Sequence, residues 1–206
     1  EPGRVRGAGG AEQPRLDRAA GDPQQGFAGR VERDVRARLV QREGGVADHA
    51  ALAAGRVAGV AGTEQLDTEV EKGAHLNGKA SALIVSQVNG LRVVPFDLYR
   101  TLRVESVTGE KGEAIPFIQE DKNEDYQFFV ILPEALAAGQ KYTITTNYSG
   151  KDAVMRTGDG NYYPVARENW YPNVASSALG DYTAYDLTFR IPKGLQMAAT
   201  GSMISA

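Results

Sequence analysis

The sequence predicts an all-β fold, an antiparallel sandwich or a saddle-like curved sheet, preceded by a poorly structured or partly helical segment. Three observations predict it. From about residue 64 onward, apolar residues alternate with period two in short runs of strand length. Turn residues separate these runs at spacings near ten residues, with no strand–helix–strand alternation between them. The third observation is a break in composition. Residues 1–63 hold ten arginines, twelve glycines, one aromatic (Phe27) and no lysine, whereas all seven lysines, all seven isoleucines and all nine tyrosines fall in 64–206. The chain therefore divides into an Arg/Gly/Ala-rich segment, 1–63, and a β-domain, 64–206, read as truncated at its C-terminus.

The first segment allows two readings: a natural linker or tail, or a GC-rich stretch translated in a wrong frame, which a six-frame alignment of the source DNA decides. Val31, Val35 and Leu39 recur every four residues, and 46–60 is rich in alanine, so two short helices are allowed. Gly44, Gly45, Gly55 and Gly59 make them marginal. Eight acidic residues in 1–63 nearly balance the arginines, and the whole chain carries a formal charge of -3. That balance, with one aromatic for stacking, argues against nucleic acid as a partner. The longest apolar runs, such as 128–132, are too short to span a membrane as a helix. With no cysteine, disulfides and thiolate chemistry are excluded.

In the β-domain, Leu66, Thr68 and Val70 alternate with Asp67, Glu69 and Glu71, then Lys72 and Gly73 turn the chain into a strand over 76–86. Asn89-Gly90 is the strongest hairpin signal, since both residues tolerate the positive φ of a tight type I′ turn. The next strand, 91–97, contains Pro95, which argues for an edge or a bulge. Residues 102–107 precede a turn at Gly109 and Gly112, and 114–119 return from it. The run 126–132 is apolar almost throughout, as a central strand would be. Pro133 followed by Gly139 reads as the start and end of one helical turn. On 141–148, Tyr142, Ile144, Thr146 and Tyr148 share a face. Thr157 to Asn161 reads as a turn. The strand 182–190 places Tyr185, Leu187, Phe189 and Ile191 on one face and Ala184, Asp186, Thr188 and Arg190 on the other. Pro192 stops it, and Lys193-Gly194 turns the chain back.

The residues that bear chemistry are few. His49 and His75 are the two histidines, and neither has a ligand partner at helical spacing. No metal site and no catalytic residue is predicted in this chain. Asp121, Asn123 and Asp125 begin like a calcium loop, but Tyr126 replaces the needed glycine and Leu132 the closing glutamate. Asn147 and Ser149 form a sequon, meaningful only in a eukaryotic secretory setting.

Trp170-Tyr171-Pro172-Asn173, then Tyr185, Leu187, Thr188, Phe189, Arg190, Ile191, Pro192, Lys193, Gly194 and Leu195, then Ala198-Ala199-Thr200-Gly201, together resemble the end of the N-terminal β-domain of the aminopeptidase N family (gluzincin) of bacterial zinc metallopeptidases. The likeness extends back to about Leu66, through 91–97, 101–107 and 132–140, and covers about two thirds of the chain. It implies a non-catalytic domain that packs on a downstream catalytic domain of the same chain and helps shape a peptide-binding cleft. Zinc is implied for that full-length parent, not for this fragment, and a periplasmic or secreted home goes with it. In the family, a loop of this domain holds the substrate's α-amino group through a Gln-x-Glu pattern before Ala-Arg-Arg-x-Phe-Pro. Here Ala166-Arg167-Glu168-Asn169-Trp170-Tyr171-Pro172 is similar to the second stretch, while 161–165 holds neither Gln nor Glu. On that resemblance Glu168, with Asn169 and Tyr171, is the candidate substrate-binding set. Read without it, Glu168 is a solvated loop residue, and Trp170 and Tyr171 are packing residues. The competing readings are a stand-alone β-sandwich module binding carbohydrate or protein through its tyrosines, and a parent whose zinc motif has decayed into a scaffold.

Overall fold

The computed structural model describes residues 31–40, 57–61, 63–70, 74–121, 126–158, 160–164, 169–174, 184–199 and 201–205. No helix occurs among them. The strands in chain order are β1 (Val31–Val40), β2 (Ala58–Val60), β3 (Thr63–Val70), β4 (Leu76–Ser86), β5 (Leu91–Asp97), β6 (Leu102–Thr108) and β7 (Phe117–Gln119). They continue with β8 (Gln127–Leu136), β9 (Lys141–Gly150), β10 (Val154–Thr157), β11 (Asn161–Pro164), β12 (Asn173–Val174), β13 (Ala184–Pro192) and β14 (Ser202–Ser205). A large sheet runs β14-β1-β13-β3-β4-β9-β6, with β2 also on β4, and a smaller one runs β12-β5-β8-β7. A β10–β11 ribbon stands apart.

The two sheets share one core, which is what alternation on each strand produces. Leu66, Leu76, Ala80, Ile84, Val104, Val107, Ile144 and Tyr148 come from the large sheet, and Val94, Phe96, Phe128, Val130 and Leu132 from the small one. Phe96 and Phe128 are direct cross-strand partners and stack at 5.2 Å. The face expected on β9 is the buried one, and β8 is central in its sheet as its composition requires. The face of β13 expected to be apolar buries Tyr185, Phe189 and Ile191, and the strand ends at Pro192.

The Asn89-Gly90 turn is present but joins different sheets. Only Gly90 of the pair has positive φ, at 80°. β4 belongs to the large sheet and β5 to the small one, and β8 and β9 make the reverse crossing beside them. The two connections lock together. Gly90 N–H donates to Leu136 O at 2.8 Å, Gly139 N–H to Ser86 O at 2.8 Å and Ala138 N–H to Asn89 Oδ1 at 2.9 Å. The expected helical turn after Leu132 is thus corrected: Pro133, Glu134 and Ala135 extend β8, and Gly139 (φ 79°) serves a tight turn. Proline and glycine punctuate strand ends as readily as helix ends, and here Leu136 pairs with Leu91.

The first of the two allowed N-terminal helices is likewise a strand. β1 pairs with β13 and β14, and a four-residue spacing of apolar residues fits a two-residue period as well as a helical one. Most of the second lies outside the described residues, and its last residues form β2. β3 and β13 run parallel, the exception among the described pairs to the antiparallel arrangement expected. Pro95 sits where β5 has β8 on one side, just before β12 pairs at Phe96 and Asp97 on the other, and a bulge follows Leu91. An unpaired N–H side at that position is what proline requires.

The edge of β6 is closed by a side chain. Gln119 of β7 accepts from Val104 N–H at 2.9 Å and donates to Leu102 O at 3.0 Å, so its amide stands in for a neighbouring strand across the bulge at Val104/Ser106. Gln119→Ala leaves both backbone groups without that partner. Urea denaturation is expected to show a loss of about 1–3 kcal/mol.

Candidate functional site

Residues 169–174 bridge the two sheets. β12 pairs with β5, and Tyr99 N–H donates to Asn169 O at 2.7 Å, which fixes the segment to the small sheet. Its aromatic residues face the large one. Trp170 lies 5.6 Å from the Phe189 ring, and Tyr171 packs edge-on to Tyr185 at 5.7 Å while its hydroxyl donates to the Tyr185 hydroxyl at 3.1 Å. Of the candidate set, Asn169 and Tyr171 therefore sit on one short segment, with Asn169 Oδ1 accepting from Asn173 Nδ2 at 3.4 Å. Glu168 lies outside the described residues, as do Arg167 and the stretch 122–125 of the calcium-like pattern. Trp170 and Tyr171 make the packing contacts that their size favours.

Beside this segment is a cavity of about 410 Å³, walled by Val70, Val154, Tyr162, Phe189, Ile191 and Met197 among others. Among the described residues its lining is mostly apolar, with the phenols of Tyr162 and Tyr163 and no carboxylate, amine or imidazole, so it suits an apolar group. The turn expected before Asn161 is the β10–β11 connection, with Gly160 at φ 82°.

A second cluster was not singled out in the sequence. Glu64 lies on the inward face of β3 with Leu66 and Thr68, and only 1% of it is exposed. Neither carboxyl oxygen has a hydrogen-bond partner, and Thr68 Oγ1 and the Tyr148 hydroxyl are equally unpartnered and buried. Tyr185 is its neighbour on β13. Burial pushes the Glu64 carboxyl up from 4.5 to about 8. The phenols of Tyr148 and Tyr185 are raised as well, by burial first and then by the charges of Tyr171 and Glu64. Tyr171 is raised by burial, against the lowering effect of its bond to Tyr185. The sequence did carry a signal for this cluster: Glu64 stands two residues before Leu66, on the same side of an alternating strand.

Among the described residues, no three His, Cys, Asp or Glu side chains come together to hold a metal ion. The zinc that the resemblance implies is that of the full-length parent, not of this fragment. No described helix is long and apolar enough to cross a membrane.

No protein-family model matches the chain, and no curated protein matches it. Among solved structures, a two-domain M1 zinc metallopeptidase bound to L-tryptophan is similar with a TM-score of 0.52 at 16% identity, over 72% of this chain and 38% of that one. The M1 zinc metallopeptidase from Deinococcus radiodurans gives 0.48 at 16% identity over the same shares, and yeast LTA4 hydrolase 0.49 at 12% identity over 71% of this chain and 26% of that one. The fold assignment rests on the first of these, of whose length this chain spans well under half. The chain has the β-rich fold found in part of the M1 zinc metallopeptidases, as the sequence resemblance implies.

Proposed function

We propose that this chain is a non-catalytic N-terminal domain of a zinc metallopeptidase resembling aminopeptidase N, packed on the catalytic domain of the same protein and helping to wall its peptide-binding cleft. The observation that carries this reading is the fold shared with a two-domain zinc metallopeptidase, of whose length this chain covers 38%. The described residues assemble no metal-binding group, so the reading assigns zinc and the catalytic glutamate to the downstream domain. In this account residues 168–171 form the part of the domain that reaches the cleft, with Glu168 holding the α-amino group of a peptide and Asn169 and Tyr171 supporting the loop. A carboxylate does this well where water is partly excluded.

The test is steady-state kinetics of the full-length protein on a peptide with a free amino terminus. Glu168→Ala is expected to raise KM or lower kcat/KM by about tenfold or more, the size of a lost charge-assisted contact. Unchanged kcat and KM remove Glu168 from the cleft. The carbohydrate- or protein-binding alternative relies on exposed tyrosines, and of the eight described tyrosines only Tyr126 and Tyr163 are exposed.

A further inference from the structure

The cluster around Glu64 is built from five elements. On β3, Glu64 and Thr68 share a face. On β4, Gly78 stands opposite Thr68, and on β9, Tyr148 stands opposite Gly78. A Cβ at Gly78 would lie 2.2 Å from Tyr148 Cζ and 2.5 Å from its hydroxyl oxygen, so the tyrosine ring lies directly across β4. On β13, Tyr185 stands opposite Glu64. Tyr171, from residues 169–174, is joined to Tyr185 by the hydroxyl–hydroxyl bond. Besides Glu64, the ionisable groups of this cluster among the described residues are Tyr148, Tyr171 and Tyr185, and β4 contributes Gly78, Ala80 and Ala82, which have none. Among the described residues no lysine, arginine or histidine offsets the carboxyl, and burial is what raises it.

A neutral carboxyl is the cheaper form in such surroundings, since burying an uncharged polar group costs far less than burying a charge. A carboxylate, unpaired and dry, favours any arrangement that admits water. The strands around it are held by long ladders, six pairs between β3 and β4 and seven between β3 and β13. Residues 169–174 are held by a two-residue strand and the Tyr99–Asn169 bond. Among the described elements of the enclosure they have the shortest backbone pairing, with the Tyr171–Tyr185 hydroxyl bond and the ring contacts to β13 holding them besides.

We propose that Glu64 is a proton-operated latch for residues 169–174: with the carboxyl protonated Tyr171 stays seated over the cluster, and loss of that proton to solvent lifts the segment so that water reaches the carboxylate. The latch stands on the buried cluster and its weakly tied cover. Its consequence for a substrate cleft rests on the function proposed above, because Asn169 and Tyr171 ride on the same segment.

Amide hydrogen exchange of Tyr99, whose N–H is bonded to Asn169 O, reads the opening in the whole chain without any substrate. After correction for intrinsic exchange, its protection is expected to fall about tenfold per pH unit as one proton is lost, roughly a thousandfold from pH 5 to pH 8, and then to level off. Glu64→Gln is expected to hold it constant within about twofold, and Glu64→Met carries the same test should the amide variant fail to fold. Amides of the β4–β9 ladder must remain at least about tenfold better protected than Tyr99 throughout, as local opening requires. Protection of Tyr99 that ignores pH, that keeps its slope in both Glu64 variants, or that matches the β4–β9 ladder at every pH overturns the latch. None of these readouts involves peptide hydrolysis, so the latch and the cleft function fail separately.

Discussion

Glu64→Gln is expected to stabilise the domain by up to about 4 kcal/mol at pH 8 and to flatten its stability between pH 5 and pH 8. The sign follows from the direction of the shift. In the folded chain the carboxyl is held at about 8, above its ordinary 4.5, because burial disfavours the charged form. Below pH 4.5 the carboxyl is protonated in both states and contributes nothing. As the pH rises from there, the unfolded chain releases the proton first, and the folded state loses about 1.4 kcal/mol per unit until the folded group also ionises. Glutamine fills the same space without that proton. Lifting of residues 169–174 relieves part of the loss in the parent chain, so the measured gain falls below the full figure by the same amount. Urea denaturation of both forms at pH 5 and pH 8 checks it. Equal stability differences at the two pH values contradict the assignment.

Gly78→Ala is expected to cost about 3 kcal/mol. The new methyl would sit 2.2 Å from the Tyr148 ring, and that ring is fully buried, so it can yield only by disturbing its packing. Tyr148→Phe, by contrast, removes a buried hydroxyl that has no partner and is expected to change stability by less than about 1 kcal/mol or to raise it. Thermal and denaturant unfolding of the two single variants and of Gly78→Ala/Tyr148→Leu resolves the contact. The double variant is expected to be markedly less damaged than the sum of its parts, because the clash needs both residues.

The strands were legible because burial on one face imposes a two-residue period that survives in β3, β9 and β13. Turn glycines were legible where positive φ is needed, at Gly90, Gly139 and Gly160. Which strands those turns join was not legible. The crossings from β4 to β5 and from β8 to β9 depend on two connections bonding to each other, a contact between residues about fifty apart. Pro133 and Gly139 pointed to a helix because their positional preferences are shared with strand ends, and only the Leu91–Leu136 pairing decides between them. Val31, Val35 and Leu39 were ambiguous for the same reason of period. At the candidate site, the packing of Trp170 and Tyr171 was readable from their size. The burial of Glu64 is not legible from residue type, because an acidic residue at a strand start reads as solvated, although its register with Leu66 places it inside.

If this β-domain serves a zinc-bearing catalytic neighbour, as proposed, zinc stoichiometry of the complete parent protein shows it most directly. Elemental analysis is expected to find about one zinc per parent chain and none bound by residues 1–206 alone, as a catalytic site built from two histidines and a carboxylate elsewhere requires. A parent that carries no zinc when purified without chelators would contradict it.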